Sequence, residues 1–193
     1  MSVLNHKIDF VVLVSVIMAN PNGDPLDGNR PRTDFRGFGE ISDVCIKRKI
    51  RNRMMDMGYG IFVQSDDKTA DSYESLTERA SNELPKTKDS DEYAKAACEK
   101  WLDVRAFGQV FAFKSGNVSV GVRGPVSIHQ AVSVSPVEIQ SMQITKSVNS
   151  ETSEKRSSDT MGMKHLVRSV QNKRLYKRTA WKKPASAARM HRS

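Results

Sequence analysis

The sequence predicts a single domain that mixes helices and strands. Three observations lead there. Residues 43–57 and 91–104 repeat apolar side chains at helical spacing. Short β-branched runs at 8–18, 109–113, 118–123 and 126–148 have the length and composition of strands. Glycine and proline fall between these runs rather than inside them. At 193 residues the chain has room for one sizeable core and hardly for two.

The first run, Ile8 to Met18, is almost continuous in Ile, Phe, Val and Leu and closes at Asn20-Pro21, so it reads as a central strand covered on both faces. Residues 20–41 form a loop held by proline, glycine and asparagine. Ser42 or Asp43 is placed to cap a helix that runs to about Met57. Ile46, Ile50, Met54 and Met57 share its apolar face, with Lys47, Arg48 and Arg51 beside or opposite it. Gly58 ends that helix, and Tyr59 to Gln64 reads as a second strand.

The polar stretch 65–90 holds a short helix between Ser72 and Leu84, ahead of Pro85. Asp91 to Val104 is a second clear helix with Tyr93, Ala97, Trp101 and Val104 on its inner face. Gln109–Phe113 and Val118–Arg123 flank Lys114-Ser-Gly-Asn117 as a hairpin, and Gly124-Pro125 breaks the pattern. Val126 to Val148 alternates serine with valine and isoleucine as one half-exposed strand interrupted at Pro136. The mixed serine and charge of 150–159 reads as a loop.

Charge is uneven along the chain. The formal net charge is +9, yet nine of the 31 cations lie from Leu166 to Ser193, where no acid occurs, so the remaining 22 match the 22 acids of residues 1–165. Binding to nucleic acid must therefore be argued from local clusters, not from the total. No apolar stretch of about eighteen residues suggests a membrane span, and Asp9 interrupts the only apolar run near the N-terminus. Cys45 and Cys98 are distant in sequence and read as packing residues in a reducing, cytoplasmic protein. No cofactor or metal site is expected. Gly23 to Arg30 has the glycine spacing of a phosphate-binding loop, but Asn29-Arg30 stands where lysine and serine or threonine are needed. Asp24 and Asp27 lack the spacing of a calcium loop and suit turn chemistry. His129 has no cysteine or second histidine near it and reads as structural.

Seven blocks carry a family likeness. They are Asn20-Pro-Asn-Gly-Asp24, Gly28-Asn29, Pro31-Arg-Thr-Asp34, Ser42-Asp-Val-Cys-Ile-Lys-Arg-Lys-Ile-Arg51, Gly124-Pro-Val-Ser-Ile128, Ser141-Met-Gln-Ile-Thr-Lys146 and Asp159-Thr-Met-Gly-Met-Lys-His165. In this order they resemble the backbone subunit of CRISPR Cascade, the Cas7 family, in its subtype I-C branch (the Csd-two group). The resemblance implies an α+β, modified RRM-like (ferredoxin-like) core with long loop and thumb insertions, spanning residues 1–165. It implies copies that polymerise along a guide RNA, contact target DNA, and work with a large subunit and a guide-processing subunit. It implies no catalysis, because type I systems delegate cutting to a separate nuclease-helicase, and it leaves sequence to be read by base pairing.

Such a subunit must grip phosphate and ribose whatever the bases. Asn20, Asn22 and Asn29 offer groups to ribose, and Arg30 and Arg32 add charge in the same loop. Ser42 and the first amides of its helix suit a phosphate, with Lys47, Arg48 and Arg51 along that helix. Ser141, Gln143 and Thr145 alternate on one strand toward RNA. Met161 and Met163, with Lys164, form the expected thumb tip that wedges between bases. Asp34 supports an alternative, since a loop aspartate of related type III backbone subunits cleaves RNA. A second alternative is a stand-alone RRM-like RNA-binding module with a basic tail. Residues 166–193 depart from the family pattern and are expected to be a disordered or out-of-frame end, so that the family fold would be incomplete at the C-terminus. Tyr176 and Trp181 would stack bases if that tail binds RNA.

Overall fold

The computed structural model describes residues 6–113, 119–145 and 160–168. The fold class is α+β, with four helices and small antiparallel sheets among the described residues. The chain divides into two compact units, residues 32–135 and residues 1–31 with 136–193. Each is described by itself.

The unit of residues 32–135 holds the aromatic core. β3 (Phe38–Ile41) pairs with β6 (Ala131–Pro136). Helix α1 (Asp43–Asp56) begins where the Ser42 hydroxyl accepts the Cys45 N–H at 3.2 Å. It ends at Met57, and Gly58 follows in the left-handed region at φ 82°. Helix α2 (Leu76–Glu83) is capped by Ser75, helix α3 (Ser90–Lys100) by Asp89, and α4 (Leu102–Phe107) follows directly. β4 (Gly108–Ala112) and β5 (Ser119–Arg123) form the expected hairpin, with Phe111 opposite Val120.

Phe62, Ala80, Leu84, Ala97, Trp101, Val104 and Phe111 make one buried cluster. The Phe62 ring lies 4.6 Å from Trp101 and 5.2 Å from Phe111, and Tyr93 meets Phe111 edge-on at 5.5 Å. Each such pair adds roughly 0.5–1.5 kcal/mol beyond area burial. The inner face of the second helix is thus as its spacing dictates.

Two expectations in this unit are corrected. The helix of 91–104 breaks at Trp101, whose φ of −117° and ψ of 117° are extended. The stretch 59–64 is not a strand. Both corrections have one cause. The break frees the Leu102 N–H for Gly60 O at 2.9 Å, and places Asp103 to accept the Phe62 and Val63 N–H groups at 2.7 and 3.1 Å. The Phe62 carbonyl accepts Arg79 at 2.9 Å. Backbone groups that would otherwise need a neighbouring strand are satisfied by a helix start and two buried side chains. Gly60 is required at the crossing, since a Cβ there would sit 2.6 Å from Lys100 O.

The run from Val126 to Val148 is corrected as well. It is not one strand: residues 126–130 lie outside any strand, β6 pairs with β3, and β7 (Glu138–Thr145) pairs elsewhere. In β6 the alternation is inverted. Ser133 and Ser135 are half-buried while Val132 and Val134 are 53% and 76% exposed. The Ser133 hydroxyl accepts Gly39 N–H at 2.9 Å, and that bond to β3 turns the serines inward.

In the other unit, β1 (Gly23–Asp24) and β2 (Arg30–Pro31) form a minute hairpin around a 3-10 turn at Pro25–Asp27. Its return uses Gly28 and Asn29, both left-handed at φ 55° and 61°. β7 pairs with β8 (Thr160–Arg168) over eight registered positions, with an irregularity at Ile144 and Thr145. β8 runs on past position 165 to Arg168, and its Leu166 and Val167 are buried. The expectation for Ile8 to Met18 is corrected: no ladder holds this run among the described residues, and Val11 and Leu13 are each 88% exposed. A β-branched run marks a strand former but does not supply the strand it would pair with. The bridge from Ala19 to Val167 follows the run. The turn expected at Lys114 to Asn117, the loop expected at 150–159, the side chain of Met161 and the tail beyond 168, with Tyr176 and Trp181, lie outside the described residues. Among those described, no helix is long and apolar enough to cross a membrane.

Candidate nucleic-acid interface

The 32–135 unit carries an open groove of about 560 Å³. Helix α1 contributes Lys47, the end of β5 contributes Arg123, and the segment after Pro125 contributes Ser127 and His129. Phe107 gives it an apolar wall, and at Gly121 no atom lies within 4 Å of where a Cβ would stand. No carboxylate lines it among the described residues. A groove carrying cations and a hydroxyl suits a sugar–phosphate chain, because such groups can neutralise and hydrogen-bond its oxygens whatever the base.

Glycines hold the groove's floor. A Cβ at Gly124 would lie 2.2 Å from Ala106 O and 2.4 Å from Gly108 N, and one at Gly108 would lie 2.5 Å from Val122 O. Val126 N–H then donates to Ala106 O at 2.9 Å. This close crossing accounts physically for the Gly124-Pro125 break and carries the chain from Arg123 to Ser127 along one wall.

The three α1 cations expected to act together diverge. Lys47 lines the groove, its ammonium 3.1 Å from Asp43 one turn back. Arg48 reaches Asn52 at 3.3 Å and Asp67 at 3.0 Å. Arg51 donates from Nε to the buried Asp103 carboxylate at 2.9 Å and lies 5.3 Å over the Phe107 ring, its side chain only 13% exposed. Ser42 serves as the α1 cap. Arg123 and His129 were not anticipated from sequence as binding residues. A cation placed just before a Gly-Pro break was the available signal.

The loop ahead of α1 is built by its own polar side chains. Asp34 N–H donates to Phe38 O at 2.9 Å, and the Asp34 carboxylate accepts the Arg36 and Phe38 N–H groups at 2.9 Å each. Arg36 adds its Nε at 2.9 Å. Partial burial opposes ionisation of this carboxyl, but the Phe38 amide and the Arg36 side chain and amide outweigh it and hold it below the usual aspartate range. Such a carboxylate is a poor proton acceptor. The Arg32 carbonyl accepts Glu40 N–H at 2.9 Å in the same loop.

In the other unit, Asn20 Nδ2 donates to Asn29 O at 2.7 Å, tying the hairpin shut. Asn20 Oδ1 is buried and has no hydrogen-bond partner among the described residues. Asn22 Nδ2 donates to Gly23 O at 3.3 Å, and Arg30 lies 3.9 Å from Asp27. Asp24 accepts Leu26 N–H at 3.1 Å, which is the turn role its spacing suggested. On the β7–β8 ribbon, Ser141 stands opposite His165 and Gln143 opposite Met163. Paired residues share a face, so these four side chains sit together, with Ser141 Oγ and His165 Nδ1 2.8 Å apart. Met163 is 52% exposed there. Lys164 pairs with Met142 on the opposite face, and Thr145 pairs with Thr160 beyond the irregularity.

Comparison with known proteins places the sequence in a family. The family model described as CRISPR-associated protein Cas7 matches residues 6–172. A Haloferax volcanii protein named CRISPR-associated protein Cas7 is 34% identical over 105 residues. That alignment takes in 51% of this chain and 30% of the relative, so the matched part is under a third of that protein's length.

Proposed function

The chain belongs to the CRISPR-associated Cas7 family, and from that premise we propose that it is a guide-RNA-binding backbone subunit of a type I-C Cascade complex. It grips the RNA through phosphate and ribose without regard to sequence, and leaves target DNA to be read by pairing with the guide. Its partners are the guide RNA, further copies of itself, target DNA, and the large and guide-processing subunits. The core is of RRM-like type, and the subunit performs no chemistry of its own.

The observation that carries this reading is the groove lined by Lys47, Arg123 and His129, with no carboxylate among its described lining residues. Cations there would neutralise phosphates and release their counterions, which is affinity without base preference. The exposed Met163 beside Ser141 and Gln143 suits contact with a base edge or face. Asp34, held ionised by four N–H donors, supports the non-catalytic reading over RNA cleavage.

Co-expression with a CRISPR transcript and the partner subunits, followed by sizing and mass measurement, tests the proposal. The expected product is a particle containing guide RNA and several copies of this chain. Recovery of the chain free of RNA and outside every particle would refute it.

A further inference from the structure

We propose that Phe35 and Arg36 form a stacking platform for one unpaired base of the bound RNA; the inference rests on the RNA-binding reading above. Phe35 is 96% exposed, yet it does not sit on a slack loop. The turn carrying it is closed by Asp34 N–H to Phe38 O and Gly37 N–H to Asp34 O, at 2.9 and 3.0 Å. Thr33 bridges to Gly39 across its base. Gly37 takes φ 82°, which lets the chain return at once.

The Arg36 guanidinium lies 5.6 Å from the Phe35 ring centroid and 5.1 Å from that of Phe38, within cation–π range of both rings. Asp34 fixes it there at 2.9 Å while leaving its side chain 61% exposed. A large ring is thus presented to water by a braced turn, with a positive charge at its side. Its apolar face finds no cover in the pairings described, and burial of such a face is favourable.

A nucleobase fits this arrangement better than a protein side chain. It offers a flat π-face to Phe35 and brings a phosphate that the adjacent guanidinium attracts. Every base has such a face, so the contact tolerates any sequence, as a guide-binding subunit requires. The neighbouring loop and α1 then supply backbone contacts while this platform orders a base.

Titration of the full chain and its Phe35→Ala and Phe35→Trp variants with two labelled single-stranded RNAs tests the inference. One RNA has random sequence; the other has equal length but abasic sites, so it keeps the phosphates and lacks the bases. Phe35→Ala should weaken binding to the ordinary RNA by about tenfold or more, leave the abasic RNA unaffected, and leave the salt dependence unchanged, because no phosphate contact is removed. Phe35→Trp should retain affinity. Equal affinities of wild type and Phe35→Ala, or equal losses on both RNAs, would overturn the platform alone. Altered self-association with unchanged RNA affinity would assign the ring to a protein contact and overturn it too. If the wild type binds neither RNA, the RNA-binding reading and the platform fall together.

Discussion

Asp103 is the group on which the core most depends, and Asp103→Ala is the sharpest probe of it. The carboxylate is 1% exposed and accepts three donors: Arg51 Nε at 2.9 Å, Phe62 N–H at 2.7 Å and Val63 N–H at 3.1 Å. Alanine leaves a mostly buried guanidinium without its counter-charge and two backbone N–H groups without acceptors. Breaking a buried ion pair from one side costs about 3–5 kcal/mol. That is a large fraction of the roughly 5–15 kcal/mol by which domains are stable. With a urea m-value near 2 kcal/mol/M, the midpoint should fall by about 2 M. Urea unfolding followed by Trp101 fluorescence reports it, since Trp101 packs on Phe62. The pair of changes Arg51→Met with Asp103→Leu should recover part of the loss, because no uncompensated charge remains. A loss under about 1 kcal/mol for Asp103→Ala would refute the reasoning, as would a double variant no more stable than the single one.

Further predictions follow from other parts of the molecule. Gly124→Ala forces a Cβ against Ala106 O and Gly108 N, so it should cost about 1–3 kcal/mol and lower the melting temperature by several degrees; an unchanged melt would remove the tight crossing from the account. Asp71, Asp34 and Glu83 all titrate below their ordinary values: hydrogen bonding from Arg79 leads for Asp71, from Lys100 for Glu83, and from the Phe38 amide against burial for Asp34. A depressed carboxylate pKa contributes stability that is complete above the unfolded value and lost as pH falls through the folded one. Thermal stability should therefore hold from pH 7 to about 5 and drop below about pH 4, and a flat melting profile down to pH 3 would contradict these pairs. Incubation of wild type with single-stranded RNA and magnesium should leave the RNA intact, as should Asp34→Ala; cleavage lost in that variant would establish the enzymatic alternative instead.

The helices were legible because their information is local. Ile46, Ile50 and Met54 mark one face of α1, and Ser42 marks its start. Tyr93, Ala97, Trp101 and Val104 mark the core side of the second helix. The break at Trp101 was not legible, because it is decided by Gly60 and Phe62, some forty residues earlier, whose backbone groups need the α4 start and Asp103. For β6 the alternation was visible, but the side that faces inward is set by the Ser133 bond to Gly39 on a distant strand. The run of Ile8 to Met18 shows the same limit, since composition marks a strand former and says nothing of a partner.

The groove was half legible. Lys47 stands in a basic cluster that sequence reading singles out, whereas Arg123 and His129 are isolated residues brought beside it by the Gly108–Gly124 crossing. Lys47 and Arg51 are equivalent by helical spacing. What separates them is Asp103, which lies fifty-two residues beyond Arg51 and draws it into the core. Phe35 was passed over because an aromatic residue outside any periodic segment carries no signal until its exposure is known.

The groove's role is tested most directly by the salt dependence of binding to random-sequence single-stranded RNA, compared between wild type and a Lys47→Ala, Arg123→Ala double variant. The account predicts tight binding that weakens steeply with salt in the wild type. In the variant it predicts weaker binding whatever the RNA sequence, and a log–log slope shallower by about 1.4, for two lost phosphate contacts at roughly 0.7 each. A variant that keeps the wild-type affinity and slope would contradict the claim that this groove holds the RNA backbone.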